Sequence, residues 1–386
     1  MLKNKINYDI EILRSFAIII VLIEHMPTLF FWSQHQTFTT LSQYVQFWPG
    51  VDLFFCISGY VVGNSLISKV DLYRNCGDVG KAVIYPFFIK RAFRLLPSSL
   101  LWMCVILFCS YVYNRSGAFG RPSENIVFSL GIITYTYNLI FGYLLQIGYL
   151  PTYGPYWSLT LEEQFYFILP LFALLVRDKY RITFLLILFM SFFFIERQGT
   201  WLPSIRFDSI LLGVVLSILH SKHALDRFKP VFLKSRYARL LINILLFGSL
   251  IIIPAALEKS RVLFGVLSLC CFAITFVASW NEGYILRHWS INAIMLWIAK
   301  RSYAIYLIHM PVIYFIQESV IRLFVMKGIA PHDSLPLQTI LVLLCISLTL
   351  VLSDLNYRYL EKPLREKGRM KAEKMKNKIM TDEQIR

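Results

Sequence analysis

The sequence predicts an all-α membrane protein, a polytopic bundle of about ten transmembrane helices with both termini on the cytoplasmic side. Three observations carry this: apolar runs of span length, sparse charge, and basic residues gathered in alternate connections. The chain has 386 residues, of which 57% are hydrophobic and only 16% charged, and its mean hydropathy is +0.58. An ordinary soluble domain carries about a quarter charged residues, so the implied solvent is a bilayer.

The apolar runs lie near 12–32, 46–67, 95–113, 157–176, 181–196, 203–220, 239–257, 262–280, 301–325 and 337–360. Each approaches the roughly 17–25 residues that carry a helix across hydrocarbon, where only a helix or a closed barrel satisfies its backbone. The first run, from Ile12 to Trp32, is too long for a signal core and carries Arg14, Glu24 and His25, so it is expected to remain as a span.

Side follows from Lys and Arg. Lys3 and Lys5 precede the first span, and residues 68–94 hold Lys69, Arg74, Lys81, Lys90, Arg91 and Arg94. Residues 221–239 and the stretch from Lys362 to Lys378 are also basic, whereas Ser33–Val45 has no charge and 326–336 has only Lys327, His332 and Asp333. The basic connections belong inside. The segment Ile126–Leu145 is apolar but rich in Tyr, Thr, Asn and Gly; counting it as a span would put 221–239 outside, so it is expected to be interfacial or re-entrant on the outer face.

The net charge of +16 is thus a matter of topology, and no nucleic-acid partner is expected. Residues 1–365 read as one membrane domain and 366–386 as a basic cytoplasmic tail resting on anionic lipid. Most cysteines lie inside apolar runs, Cys76 stands alone in a charged connection, and no CxxC pair occurs, so neither disulfides nor a Cys-bound metal is expected. His220 and His223 sit in a basic loop without carboxylate company, and no metal site is expected there.

Ionisable residues inside apolar runs are costly and therefore candidates for function. Arg14 and His25 are eleven positions apart, about three helical turns plus 20°, which places both on one face roughly 16 Å apart. A histidine there suits a general base; an arginine snorkelling to lipid and a histidine bonded to a neighbouring helix fit the spacing equally well. Asp52, in Gly50–Tyr60, either orients His25 or caps its helix, with Ser58 and Gly59 as close-packing residues. Arg91 and Arg94 form a compact anion site, or serve only as topology-setting charges. In Trp157–Tyr166, Thr160 and Glu163 have capping-box spacing, while Glu162 shares a face with Ser158 and Tyr166; one of the two glutamates is expected to pair with His25 or Arg206. Arg206 and Asp208 are spaced for a mutual ion pair. His309 falls near mid-membrane, as a helix-to-helix hydrogen bond or a catalyst. Arg358 and Arg365 close the last span beside Arg91 and Arg94.

Taken in order, these segments resemble the membrane acyltransferase-3 family. The resemblance runs from Leu13-Arg14 with His25, through Gly50–Tyr60, Lys90–Pro97, Trp157–Tyr166 and Arg206–Gly213, to Ser302–Pro311. Lys90 stands where the family more often has Arg, and Met310 where Trp is commoner. The resemblance implies a multi-pass enzyme of the bacterial cytoplasmic membrane that transfers an acyl group, most often acetyl, from acyl-CoA to a hydroxyl of a glycan or its lipid-linked precursor. It implies a catalytic group of His25, Arg14, Asp52, Glu162 and Glu163, with CoA held by Arg91, Arg94, Arg358 and Arg365. The acceptor would meet Trp157, Ser158, Tyr166, Arg206, Asp208 and His309. No permanent cofactor and no metal are implied; acetyl-CoA is a donor substrate. The C-terminal esterase-like domain of many members is not expected here. Rival readings are a transporter of lipid-linked sugars, which would have repeated halves that the sequence lacks, and a polyprenyl-dependent glycosyltransferase, which would have acidic residues in the first outer loop.

Overall fold

The computed structural model describes residues 6–30, 32, 40–74, 80–197, 199–285, 289–328 and 334–384. Lys3, Lys5, Cys76, His332 and Asp333, and most of the uncharged 33–45 connection, lie outside them. The described residues are helical, with no strand among them. The helices are α1 (Tyr8–His25), α2 (Gly50–Tyr73), α3 (Tyr85–Val112), α4 (Pro122–Ile133), α5 (Tyr137–Gln146), α6 (Tyr156–Leu175) and α7 (Asp178–Phe193). They continue as α8 (Phe207–Ser221), α9 (Arg236–Ala256), α10 (Leu263–Ser279), α11 (Trp289–Lys327), α12 (Leu335–Asn356) and α13 (Lys362–Gln384).

Among the described residues, eight helices are long and apolar enough to cross a membrane. Each of the ten expected spans has a helix, but α7, with 16 residues, and α10, with 17 residues, fall short of that length. Residues 126–145 form no continuous span. Their two helices, α4 and α5, have 12 and 10 residues and are broken at Tyr135, whose φ is +57°. Helices that short rise only about 15–18 Å.

Polar contacts gather the described helix ends into two layers. At one end Asn7 donates to the Ala278 and Ser279 carbonyls; Arg181 holds Asp71 through two bonds of 2.7 Å, and Lys222 meets Asp178 at 2.8 Å. This end also carries Lys69, Lys90, Arg91, Arg94 and Arg365 and is the basic end. At the other, Glu318 accepts from the Arg115 and Ser116 amides at 2.7 and 2.8 Å, and Glu24 accepts from the Phe47 amide at 2.8 Å.

The tightest crossing joins α2 to α8. A Cβ on Gly59 would strike the Ile210 carbonyl, and one on Gly213 the Cys56 carbonyl. Glycine here lets two backbones touch, as membrane helices lacking a hydrophobic driving force require. Ser58, expected to share that packing role, instead donates to Glu162.

The segment expected to be a solvated tail is helical and folds back on the bundle. In α13, Gly368 packs against Phe93, Ala372 is buried, and Lys371 lies 5.8 Å over the Phe93 ring.

Candidate active site

Where α3 leaves the basic end, Arg91 and Arg94 line two cavities at once. The outer one, a vestibule of about 1490 Å³, is also walled by Lys69, Lys90, Arg365 and Arg369, with Glu366 and Glu373 on α13. The inner one encloses about 730 Å³ and runs between α1, α2, α3, α6 and α11 past Arg14, Ser58 and Glu162 to Ser158 and Tyr306. An anion in the vestibule would thus lie at the mouth of a polar channel that ends deep among the helices.

Arg14 is held by Glu11 at 2.9 Å. Glu162 accepts from the hydroxyls of Ser58 and Tyr166, and Arg91 stacks over the Tyr166 ring at 4.8 Å. Glu162 thus bonds Ser58 and Tyr166 and not the partners foreseen for it, His25 and Arg206. The i, i+4 spacing of Glu162 and Tyr166 explains the second bond: both side chains meet on one helical face.

His25 lies at the end of α1, beyond the inner cavity. Its Nδ1 is 2.9 Å from the Val21 carbonyl, and because a carbonyl only accepts, Nδ1 carries a proton, which in the neutral ring leaves the lone pair on Nε2. The ring is oriented by its own helix rather than by a carboxylate. His309 stacks edge-on against it, with ring centroids 5.0 Å apart. His309 is fully buried, bonds the Ile305 carbonyl through Nδ1 at 3.3 Å, and has no partner for Nε2 among the described residues. Between this pair and the cavity stands Tyr306, whose ring is 5.8 Å from His309 and whose hydroxyl meets Ser158 Oγ at 2.6 Å.

Several expected partnerships are exchanged. Arg206 does not pair with Asp208: it bonds Asp52 at 2.9 Å and is boxed by the rings of Trp48, Trp157 and Phe264 at 4.5, 5.1 and 4.9 Å. Asp208 forms a two-pronged bond with Arg197, at 2.7 and 2.8 Å. Asp52 therefore neither orients His25 nor caps α2, whose N-cap is Pro49 without a side-chain bond. Thr160 and Glu163 form no capping box, because α6 already starts at Tyr156 and Thr160 bonds back to the Tyr156 carbonyl at 2.8 Å. Arg358 is 2.7 Å from Asp354, which also binds Arg301, and it stays off the vestibule wall that Arg365 joins. His223, read as lacking a carboxylate, lies 3.2 Å from Asp226.

Tyr306, Lys69 and Arg369 were not singled out from the sequence. Tyr306 sits inside the Ser302–Pro311 motif, one turn before His309, and that register was the available signal. Lys69 and Arg369 looked like surface charges, and nothing local ties them to Arg91.

Among the described residues, a helical bundle of span-length helices, with a vestibule lined largely by Lys and Arg opening on a partly polar interior cavity, defines a multi-pass membrane protein. The chain belongs to the acyltransferase-3 family, whose acyltransferase-domain profile matches residues 7–355. It is similar to a Staphylococcus aureus strain COL protein named "Putative O-acetyltransferase SACOL0978", at 27% identity over 341 residues, covering 83% of this chain and 53% of the relative. It is also similar to "O-acetyltransferase OatA" of S. aureus strain NCTC 8325, at 24% identity over 339 residues with the same coverages, 83% and 53%. The chain thus spans about half the length of the curated relatives it matches. No solved structure matches it.

Proposed function

We propose that this chain is an O-acyltransferase that moves an acyl group, acetyl in the first instance, from acyl-CoA at the basic end to a hydroxyl of a cell-surface glycan or its lipid-linked precursor. The observation that carries the reading is that Arg91 and Arg94 belong to both cavities, so a phosphate-bearing donor could be held in the vestibule while its thioester arm extends inward. The family and the names of its relatives support the chemistry. The basic end is then cytoplasmic, in a bacterial cytoplasmic membrane, where acyl-CoA is found.

In this reading the CoA phosphates rest on Arg91, Arg94 and Arg365, with Lys90 and Arg369 beside them. Arginine forks suit phosphate oxygens. The pantetheine arm passes Arg14 and Glu162, and the thioester reaches Ser158 and Tyr306. His25 Nε2 takes the proton of the acceptor hydroxyl as its oxygen bonds to the thioester carbonyl. Breaking of the C–S bond then releases the CoA thiolate, which takes that proton back from the imidazolium. His309 lies against His25, and Tyr306 must shift to join the cavity to the histidine pair.

Replacing His25 with Ala is expected to abolish acyl transfer while membrane insertion and yield stay near wild type, because the residue is half-buried at a helix end. Mass spectrometry of surface glycans from cells carrying each variant tests this. Undiminished acylation with His25→Ala would remove the histidine from the chemistry.

A further inference from the structure

A third cavity, of about 760 Å³, flanks α6 on the side away from α1, and the donor route leaves it unused. Its rim is apolar: Leu96 and Leu100 of α3 face Ile132 and Ile133 at the end of α4. Leu100 is 41% and Ile133 53% exposed. Leu100 is about 22 Å along α3 from Tyr85, in the middle of that helix, so the opening faces hydrocarbon and not either aqueous end. The α4–α5 break keeps this corner apart, and Gln164 pins it by donating to the Tyr135 carbonyl at 2.7 Å.

The floor is polar, with Thr160, Glu162, Glu163 and Tyr303. Glu163 forms no hydrogen bond and no ion pair with any described residue. A carboxyl group at this depth without a partner is costly, and the cost is relieved by a ligand that brings hydroxyl donors. Leu95, Leu159, Glu162 and Tyr303 line this cavity and the inner one alike. The two spaces therefore share part of one wall.

We propose that the acceptor enters sideways from the bilayer as a hydroxyl-bearing head group on a lipid chain, through the gap between α3 and the α4–α5 break, with Glu163 accepting from one of its hydroxyls. This rests on the acyltransfer reading and specifies the acceptor as membrane-dissolved. The chain of the lipid stays among Leu96, Leu100, Ile132 and Ile133. Its head crosses the shared wall toward Ser158 and Tyr306.

The test uses the full chain in lipid nanodiscs and two photoreactive probes carrying a diazirine at the same chain depth, an alkyl glucoside and a phosphatidylcholine whose head group has no hydroxyl, with labelled peptides read by mass spectrometry. The glucoside is expected to label the Leu96–Leu100 and Ile132–Ile133 segments above all other lipid-facing positions. Leu100→Trp with Ile133→Trp should cut that labelling about tenfold by filling the rim. Glu163→Leu, which removes the acceptor, should lower glucoside labelling about fivefold, the worth of an ordinary hydrogen bond, and leave phosphatidylcholine labelling unchanged. Equal labelling of the corner by both probes, or labelling that survives the tryptophans, overturns the proposal. Calorimetric titration of the same samples with acetyl-CoA separates the two levels: donor binding without glucoside preference sinks only the lateral route, whereas wild-type protein that binds no acetyl-CoA sinks the acyltransfer reading. Unchanged donor affinity in the double tryptophan variant certifies its fold.

Discussion

Arg91 and Arg94 stand one helical turn apart, which the sequence reads either as an anion site or as topology-setting charges, and the structure puts both at the junction of two cavities. Arg91→Ala with Arg94→Ala should weaken acetyl-CoA affinity more than it lowers saturated turnover, since the contact is remote from the reacting carbonyl. Bonds of this type are worth about 1.5–3 kcal/mol each, so at least a tenfold loss is expected in calorimetric titration. Unchanged affinity would leave the pair as topology charges. The partners of Asp52 and Asp208 were not readable, because local spacing pairs Arg206 with its neighbour while the fold brings Arg197 to Asp208 and sends Arg206 across to α2. Arg197 and Asp208 are both about 2% exposed. Removing one partner from such a pair costs about 3–5 kcal/mol, whereas replacing both with apolar residues is often neutral. Arg197→Ala should therefore lower the thermal midpoint of purified protein sharply, and Arg197→Met with Asp208→Leu should recover most of the loss. Equal destabilisation in the double variant would mean that the pair does more than satisfy its own charges.

At the scale of elements, hydropathy located every long apolar helix among the described residues, since span length is written in composition. The break in residues 126–145 was legible only as a doubt raised by Tyr, Thr and Gly; Tyr135, whose φ of +57° interrupts the helix, carries no local signal that forces it. The α13 helix was missed for a different reason: its lysines look solvated, and its docking depends on Gly368 meeting Phe93, a contact between distant segments. The α2–α8 crossing is the element most sensitive to a single methyl group. Gly213→Val would drive its Cβ into the Cys56 carbonyl, and overpacking of this kind costs about 1–3 kcal/mol. A fall of several degrees in the unfolding midpoint is expected, with more at Gly213 than at Gly248, where an added Cβ meets nothing within 4 Å. Comparable tolerance at both glycines would show that the backbones separate freely.

For the whole molecule, the sequence assigns sides by charge, and contacts in the structure gather α2, α3 and α13 at one basic end. Lys69 and Lys90 share the vestibule with Arg365, so α2, α3 and α13 meet at one end, and Asn7 reaches the Ala278 and Ser279 carbonyls there. That end should face the cytoplasm because Lys and Arg near span ends are retained inside. A reporter fused after Arg365 is expected to read cytoplasmic, and one inserted near Gln36, outside the described residues, to read external. The α4–α5 pair sits between these tests: if residues 126–145 crossed the bilayer in the cell, every helix after α3 would reverse and the two ends of α13 and α1 would part company. The contacts of α13 with α3, Gly368 on Phe93 and Lys371 over the same ring, would then be impossible, because they need both segments on one side. An external reading for the Arg365 fusion would therefore break the vestibule itself, and with it the donor route that depends on Arg91 and Arg365 sharing one chamber.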